Sequence, residues 1–410
     1  MNPHVLRLPK NEILTAAEQF KTPFFLYSEA KIRENCRRYR EAFREYFPDF
    51  QPFYAVKANP NPEILKIILE EGFYLDTSSP SEVFLAKKLN AHGMYTGNYT
   101  PPEELEYAKK QGLVLNLDDI SMIPFLEKIG VPETLSFRIN PGIGNGGMKS
   151  LVVAGPDAKF GMPFEKAAEA YSAAKKLGIQ KFGIHMMTGS NILDASHFPK
   201  VVQKLFEVVA EIHSQTGIEI EFMNIGGGFG VPYAPEEKSL DMNAIAKEIH
   251  KVITDSCEKY SLKQPRLMAE PGRYITADAG WLISRILLRK ESYKTFVGID
   301  ASSNDMPRPS IYGAYHHISV LNSTSSEEKV SVVGRICENN DQFAQDRILP
   351  ISNIGDVVVI HNCGAHAYAM GHNYNGRMKH AEYLLQTDGK FRQIRRSETI
   401  EDLFATLNFE

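Results

Sequence analysis

A chain of 410 residues is long enough for two domains, or for one large barrel with an appendage. Its hydrophobic fraction of 43% and charged fraction of 23% exclude a disordered, collagen-like or coiled-coil protein. A formal net charge of -4 supplies no field that attracts phosphate backbones or anionic lipid, which excludes nucleic acid and membrane surfaces as default partners.

The sequence also predicts a cytosolic protein without a metal site. No apolar run approaches the ~18–20 residues that a membrane-spanning helix needs, and the first residues are polar where a signal peptide is apolar. The cysteines are too scattered for a disulfide framework or a paired zinc site, so a special cysteine is expected to be catalytic. They are Cys36, Cys257, Cys337 and Cys363.

Short apolar, β-rich runs recur along the first two thirds of the chain, with helix-like stretches between them. After a helical stretch over 29–46, the eight runs are 53–56, 73–75, 94–96, 113–117, 135–139, 182–184, 222–225 and 267–269. The segments of helical period include 62–71, 81–89, 103–111, 165–177, 201–216 and 241–260. This alternation predicts a (β/α)8 barrel of the TIM type over 29–279, an α/β domain whose reactive groups lie where strands end and loops begin.

After residue 280 the pattern changes to strand-like runs without long helices. The runs are 281–288, 296–300, 329–336, 356–361 and 383–386. They predict an all-β domain of the sandwich or barrel type, formed by 280–410 together with 1–28. The glycine-rich segment 142–161 predicts a loop after the fifth barrel strand, and loops of that length are usually functional or mobile.

Chemically usable groups stand at the ends of the predicted barrel strands. Lys57 follows a buried strand directly, and it is either a surface lysine or a Schiff-base nucleophile deprotonated by desolvation. Glu270 is either a helix cap or an ion-pair partner, or its carboxylate faces the pyridine nitrogen of a cofactor. The run 226–230 has glycine at four of five positions, which lets backbone N–H groups approach a phosphate, although such runs are also common turns. Together these residues favour pyridoxal phosphate, a phosphorylated carbonyl cofactor.

Motifs in both predicted domains resemble the barrel-type (fold type III) pyridoxal phosphate decarboxylases. They are YAVKAN at 54–59, GGGFG at 226–230, EPGR at 270–273, RPSIY at 308–312, CE at 337–338 with Asp341, GA at 364–365 and NYN at 373–375. The likeness covers about 22–403, with the motifs in the expected order. Ornithine and arginine decarboxylases share the lysine, glycine and EPGR motifs, whereas Arg308-Pro309 followed by Tyr312 is similar to the diaminopimelate branch.

The resemblance implies how the cofactor is held. Lys57 would bond to the cofactor and Glu270 would pair with its ring nitrogen, while Asp76, Arg138 and Met187 would lie near the ring. His366 is assigned to both the cofactor and the substrate. The residues expected around the phosphate are Ser190, Gly227, Gly228, Gly272 and Arg273.

The resemblance also implies how the substrate is recognised. Its distal carboxylate would be bound by Arg273, Arg308 and Tyr312, because a planar guanidinium offers two-pronged geometry that lysine cannot. Glu338 would accept the distal ammonium, and Cys337 would donate the proton that replaces carbon dioxide. In this family the last two residues enter the site from the neighbouring subunit, which implies a homodimer with shared active sites. Lys57, Glu270 and Cys337 are thus the expected catalytic residues.

Two positions depart from the family pattern. Met187 stands where the family has a histidine stacked on the cofactor ring, and a thioether cannot hydrogen-bond as an imidazole does. His366 stands where the family has a tyrosine that reaches the phosphate. His185, two residues before Met187, should face the same side but lie deeper, so we interpret it as a core or supporting histidine, with a replacement for the stacking ring as the alternative.

The sequence therefore predicts a pyridoxal phosphate-dependent amino-acid decarboxylase, a carboxy-lyase of lysine biosynthesis that converts meso-diaminopimelate to L-lysine and carbon dioxide. The departures at Met187 and His366 leave open another diamino acid, or a carboxylated polyamine or siderophore precursor, as the substrate. A third interpretation, from a different class, is a catalytically silent relative that regulates an active homologue. The presence of Lys57, Glu270 and Cys337 argues against this third interpretation.

Overall fold

The computed structural model describes residues 9–142, 154–323 and 326–409. Residues 143–153 of the predicted loop 142–161 lie outside the described residues. The chain forms two compact units, each described here by itself. The barrel unit contains Glu34–Val231 and Leu240–Tyr274, and the sheet unit contains the residues up to Arg33, Pro232–Ser239 and those from Ile275 onward.

The first elements in chain order are helix α1 (Lys10–Gln19), strand β1 (Phe24–Ser28) and helix α2 (Glu29–Arg44). The strands that follow are β2 (Gln51–Ala55), β3 (Tyr74–Thr77), β4 (Gly93–Tyr95), β5 (Val114–Leu117), β6 (Thr134–Asn140), β7 (Met162–Pro163), β8 (Lys181–His185), β9 (Ile220–Asn224) and β10 (Arg266–Ala269). All pairings among them are parallel, and the sheet closes because β5 pairs with β6 and β10 pairs with β2. The eight-stranded barrel predicted from the sequence is therefore confirmed, and the short β7 adds to β6.

Helices follow the barrel strands, and six of them lie in the segments whose apolar periodicity predicts a helix, whereas those over 123–129 and 273–276 were not predicted. The helices are α3 (Pro62–Glu70), α4 (Pro80–Lys88), α5 (Pro102–Lys110), α6 (Ile123–Ile129), α7 (Ala167–Leu177), α8 (His197–Thr216), α9 (Met242–Tyr260) and α10 (Arg273–Thr276). Side chains cap several amino-terminal ends: Asn61 accepts from Glu63 N, Ser79 from Glu82 N and Asp241 from Ala244 N. The carboxyl ends of α7 and α8 are closed by Gly178 and Gly217 in left-handed conformations.

Packed side chains fill one layer of the barrel interior. Phe53, Met94, Phe222 and Met268 are buried together, and each comes from a different strand. Gly183 on β8 makes room for this layer, since a Cβ there would lie 2.0 Å from the Phe222 ring. Because such a layer closes the barrel to solvent, chemistry is left to the carboxyl ends of the strands.

The sheet unit contains the remaining elements. They are β11 (Gly280–Glu291), β12 (Thr295–Ile299), α11 (Arg308–Tyr312), β13 (Ile318–Leu321), β14 (Glu327–Val333), β15 (Gln342–Pro350), β16 (Val357–Ile360), β17 (Ala381–Leu385), β18 (Phe391–Arg395) and α12 (Ile400–Phe404). With β1 they form a branched, nine-stranded sheet of mixed direction. The long β11 makes the branching possible, because it pairs with β1 and β16 near its start and with β12 near its end.

The core of this sheet unit joins the beginning of the chain to its later part. Ile13 of α1 and Phe24 of β1 are buried against Trp281, Ile283 and Val359 of the sheet. The expected separate β domain is confirmed, but the strands β1, β13, β15 and β18 were not predicted. Within the described residues, no helix is both long and apolar enough to cross a membrane.

Candidate active site

Lys57 lies at the carboxyl end of β2, in a short 3-10 turn over Val56–Ala58. The strand before it is buried throughout, while the Lys57 side chain is 50% exposed. Its Nζ is 3.4 Å from Oδ2 of Asp76 on the neighbouring strand β3, because the register sets Ala55 opposite Asp76. The strand end thus delivers a primary amine to the opening of the barrel beside a buried carboxylate.

Asp76 is 1% exposed and accepts a hydrogen bond from the Thr96 hydroxyl. Burial raises the pKa of Asp76 to about 7, the negative charge of Glu270 adds to this effect, and the Lys57 ammonium opposes it. Burial by itself lowers the pKa of Lys57, but Asp76 and Glu270 outweigh it and raise the pKa above its usual value. The amine is therefore held as an ammonium in the free protein.

Glu270 follows β10 and is buried between two polar side chains from neighbouring strands. Asn224 Nδ2 donates to its Oε1 at 2.7 Å, and His185 Nε2 lies 3.3 Å from its Oε2. Burial raises the pKa of Glu270, but the combined effect of His185, Lys57 and the hydrogen bond from Asn224 outweighs burial, and the pKa falls to about 2. Glu270 is thus an ionised carboxylate inside the barrel.

His185 is 1% exposed, and its other ring nitrogen, Nδ1, lies 3.4 Å from Asn116 Nδ2. The ring therefore lies between Asn116 and Glu270. This placement agrees with the interpretation of His185 as a supporting histidine. Met187 is half-buried, and its Sδ accepts the backbone N–H of Gly227 at 3.1 Å, so the thioether contacts the glycine run.

The glycine run is sterically required where it passes the end of β10. A Cβ at Gly227 would lie 2.4 Å from the carbonyl oxygen of Glu270, and one at Gly228 would lie 2.9 Å from that of Gly189. Gly228 also has a φ of +90°, a conformation that L-residues rarely adopt. The run therefore has no side chains of its own at these two positions, although Met187 contacts the Gly227 N–H, and backbone of this kind suits close approach of a phosphate.

Two further predicted phosphate contacts lie together. Arg273 is buried at the start of α10, and its Nη2 donates to Ser190 Oγ at 3.3 Å. Gly272 packs against the end of β2 and the turn that follows it, since a Cβ there would lie 3.1 Å from the Cβ of Ala55 and 3.0 Å from that of Ala58. A guanidinium, a hydroxyl and bare backbone are the donors that phosphate oxygens require.

Arg138 is buried at the end of β6, where its Nη1 donates to Asn98 Oδ1 at 3.1 Å. Its guanidinium carbon lies 4.6 Å from the centre of the Phe160 ring. Burial lowers the pKa of Arg138, and the charge of Asp118 opposes that shift. Asp118 itself accepts the backbone N–H of Gly161 at 2.9 Å.

The residues of the barrel unit fit pyridoxal phosphate. A half-exposed amine, an ionised carboxylate and a glycine run that a Cβ would fill lie at the carboxyl ends of β2, β10 and β9. These are the three features that an aldehyde, a pyridine nitrogen and a phosphate group require.

Arg308 and Tyr312 begin and end the short helix α11 of the sheet unit. The Arg308 guanidinium lies 4.6 Å from the Tyr233 ring centre, and its Nη1 donates to His316 Nε2 at 2.8 Å. His316 Nδ1 lies 2.7 Å from the His361 carbonyl oxygen, which can only accept, so His316 Nδ1 carries the proton and Nε2 accepts from Arg308. The orientation of Arg308 is thereby fixed from two sides.

Cys337 and Glu338 lie on an exposed loop of the sheet unit. The backbone N–H of Cys337 donates to Asn375 Oδ1 at 2.6 Å, and Glu338 Oε1 accepts from Asn340 N at 3.2 Å. The buried Asp341 accepts from Ile336 N at 3.0 Å and closes the loop. His366 is half-buried with a φ of +55°.

Several side chains that shape these sites were not identified from the sequence. In the barrel they include Thr96, Asn116 and Asn224, and in the sheet unit they include Tyr233 and His316. Asn224 carried a usable signal, because it is a polar residue within the predicted strand 222–225, two residues before the glycine run. His316 carried none, since its partner Arg308 is recognisable only once both are placed in three dimensions.

The comparisons with known proteins agree with this geometry. The family model for the pyridoxal binding domain of pyridoxal-dependent decarboxylases matches residues 29–277. Diaminopimelate decarboxylase of Methanothermobacter thermautotrophicus is 41% identical, over 96% of this chain and 93% of its own. Protein TabA of Pseudomonas amygdali pv. tabaci is 38% identical, over 93% of this chain and 90% of its own.

A solved structure shows the same fold along nearly the whole chain. Diaminopimelate decarboxylase of M. jannaschii, in complex with L-lysine, has a TM-score of 0.89 and 33% identity, and the match covers 96% of this chain and 93% of that one. The chain therefore belongs to the pyridoxal-dependent decarboxylase family, in its diaminopimelate decarboxylase branch.

Proposed function

We propose that this protein uses pyridoxal phosphate to decarboxylate meso-diaminopimelate to L-lysine and carbon dioxide. The observation that carries the proposal is the grouping, within one barrel, of the half-exposed Lys57, the ionised Glu270 and a glycine run in which added side chains would collide with neighbouring backbone. Curated relatives named diaminopimelate decarboxylase at 41% and 34% identity support the choice of substrate.

The chain's own residues would hold the cofactor by both ends. Lys57 would bond to its aldehyde carbon, and Glu270 would face its ring nitrogen and keep that nitrogen protonated. Asp76, Arg138 and Met187 would border the ring. When bound, the cofactor supplies an electron sink for the electron pair that the departing carboxylate leaves behind. The phosphate would be held by Ser190, Gly227, Gly228, Gly272 and Arg273, with His366 as a contact to phosphate and substrate.

Substrate recognition would rest on charge. Arg308, with Arg273 and Tyr312, would bind the distal carboxylate, and the fixed orientation of Arg308 favours a two-pronged contact. Glu338 would accept the distal ammonium. Binding at the distal end would orient the carboxylate that leaves, which is a use of non-reacting contacts to align the reacting centre. Cys337 would then deliver the proton that takes its place.

A spectrum followed by an assay tests this proposal. Wild-type protein mixed with pyridoxal phosphate should show the visible absorbance of the lysine-bound cofactor, and it should release carbon dioxide and lysine from meso-diaminopimelate. Lys57→Ala should lose both signals, whereas Lys66→Ala, which changes an exposed lysine of α3, should lose neither. Retention of both signals in Lys57→Ala would refute the assignment.

Homodimerisation is part of the proposal, because the resemblance brings Cys337 and Glu338 into the site from a neighbouring subunit. Their exposure in the single chain supports this arrangement. Mixing Lys57→Ala with Cys337→Ser tests it, since a mixed dimer would contain one intact site built from the unmodified halves. Activity should rise on mixing well above that of either variant alone, and a mixture that shows no rise after subunit exchange would count against shared sites.

A second candidate function keeps the fold and cofactor but changes the substrate. It is favoured by Met187 at the position of the stacking histidine, and by the 38% identity to a relative that is not named a diaminopimelate decarboxylase. Carbon dioxide release from a panel of diamino acids and carboxylated polyamines separates the two. We expect the highest kcat/KM for meso-diaminopimelate, and a higher value for another member would establish the second candidate.

A cytosolic location completes the proposal. No disulfide joins Cys36, Cys257, Cys337 and Cys363, which is the usual state of cysteines in a reducing compartment. Cell fractionation with an antibody to the protein should therefore find it with cytosolic markers.

A further inference from the structure

The sheet unit contains a cavity lined mainly by basic side chains, and none of its lining residues is among those assigned to cofactor or substrate. Its volume is about 330 Å³. We call it the basic pocket, and its charged or titratable lining residues are Lys21, Arg335, Arg377, Lys379, His380 and Glu398. Four basic side chains and one histidine therefore line the pocket with a single carboxylate.

The negative groups near the basic pocket are already engaged. Glu398 Oε2 accepts from Asn373 Nδ2 at 2.7 Å and from the backbone N–H of Lys379 at 2.8 Å. Asp305 is buried and pairs with Nδ1 of His380. These two carboxylates and Glu382 act electrostatically on Lys379 and offset part of the positive charge, but the four basic side chains that line the pocket still outnumber its one lining carboxylate.

A bound anion would stabilise two of the basic side chains, Arg377 and Lys379. Arg377 Nη2 donates to the carbonyl oxygen of Arg335 at 3.3 Å, but its Nε is buried and has no hydrogen-bond partner among the described residues. Lys379 Nζ lies 4.2 Å from the centre of the Tyr368 ring, which the Arg395 guanidinium also approaches, at 4.7 Å. Burial lowers the pKa of Lys379, Glu398 opposes this shift, and the charge of Arg395 adds to it.

We propose that the basic pocket binds a small phosphorylated metabolite through Lys21, Arg335, Arg377 and Lys379. A guanidinium presents paired donors to phosphate oxygens, and an ammonium adds a point charge, so this set suits a multiply charged anion. The cavity has a volume in the range typical of small-molecule sites, which leaves space for a short body beyond the phosphate.

The basic pocket shares its wall with the loop of Cys337. Arg335 precedes Cys337 by two residues, and the 375–377 segment contacts both, through Asn375 to the Cys337 N–H and through Arg377 to the Arg335 carbonyl. An anion that bridges Arg335 and Arg377 would therefore tie these two segments of the sheet unit together.

Calorimetric titration of the holoenzyme with inorganic pyrophosphate tests the proposal. The bound cofactor occupies the phosphate-binding glycine run, and constant ionic strength keeps the screening of charges equal throughout. Wild-type protein should show one saturable site per chain. The double variant Lys21→Gln/Arg335→Gln changes two exposed side chains and should bind at least about tenfold more weakly.

A matched control removes the same charge elsewhere. Lys251→Gln/Lys263→Gln changes two exposed lysines, one in the middle of α9 and one beyond its end, and should leave the affinity unchanged. Absence of saturable binding to wild-type protein, or equal affinity in the Lys21→Gln/Arg335→Gln variant, would overturn the proposal. Citrate serves as a carboxylate probe, and tighter binding of citrate than of pyrophosphate would overturn the assignment to phosphate.

Discussion

The barrel end and the Cys337 loop hold their proposed functional groups in opposite ways. In the barrel, Asp76 and Glu270 are buried, and each is fixed by side chains from neighbouring strands. In the sheet unit, Cys337 and Glu338 are exposed, and the hydrogen bonds described for their loop fix its backbone rather than the Cys337 thiol. The difference teaches that the proposed cofactor-binding groups are preorganised within one chain, whereas the proposed proton donor Cys337 is exposed, and its surroundings would come from a neighbouring subunit.

The largest effect expected at the barrel end comes from Glu270→Gln. The variant keeps the shape of the side chain but removes the negative charge that would hold the ring nitrogen protonated. We expect kcat to fall by about 10³-fold, as for loss of a preorganised charge in a buried site. The control is Glu103→Gln, an exposed position in the first turn of α5. Near-normal turnover by Glu270→Gln would contradict the statement that the barrel holds a preorganised charge for the cofactor.

Cys337→Ser should have the next largest effect. A hydroxyl is a much weaker acid than a thiol, so loss of a positioned proton donor should lower kcat by about 10²-fold, while the cofactor absorbance stays unchanged. Cys257→Ser, which changes a half-buried thiol of α9, is the matched control. A change of the cofactor spectrum in Cys337→Ser would contradict the separation of the two regions.

His316→Phe sharpens the comparison within the sheet unit. The variant removes the acceptor that orients Arg308, and it should raise KM roughly tenfold with little change in kcat, because one charge-assisted hydrogen bond is lost. A positioning role predicts partial rescue by His316→Gln, whose side-chain oxygen can still accept. A fall in kcat with unchanged KM would assign His316 another role.

The smallest effect concerns the stability of the protein without cofactor. Because the folded-state pKa of Asp76 is about 7, against 3.8 ordinarily, the folded chain holds a proton that the unfolded chain has lost. The contribution of Asp76 to the free energy of unfolding should therefore fall as pH rises from about 4 to 7. Glu270 works in the opposite direction, since its lowered pKa means that stability is lost as pH falls below about 4.

Asp76→Asn isolates this effect. Relative to wild type, the variant should gain on the order of a few kcal/mol in free energy of unfolding between pH 5 and pH 8, because the amide does not ionise. Urea denaturation at the two pH values measures the difference. If the difference between variant and wild type were the same at both pH values, the carboxylate would have an ordinary pKa.

The periodicity of apolar residues was sufficient to predict the barrel, but it was not sufficient to predict all the strands of the sheet unit. Eight apolar runs alternating with amphipathic segments predict the closed barrel, because each strand is buried by its own neighbours along the chain. The missed strands β1 and β15 give weaker signals. Strand β1 pairs with β11 and β17, both distant in sequence, and β15 is largely polar, with no regular alternation of burial.

By itself the sequence determined the barrel and the residues at the ends of its strands, since parallel strands that close a barrel bring their carboxyl ends together. It singled out Lys57, Glu270 and the glycine run on chemical type. Only the tertiary structure decided that Glu270 is ionised beside His185, and that Asp76 resists ionisation. Burial and neighbouring charges set a pKa, and those neighbours lie tens of residues away in the chain.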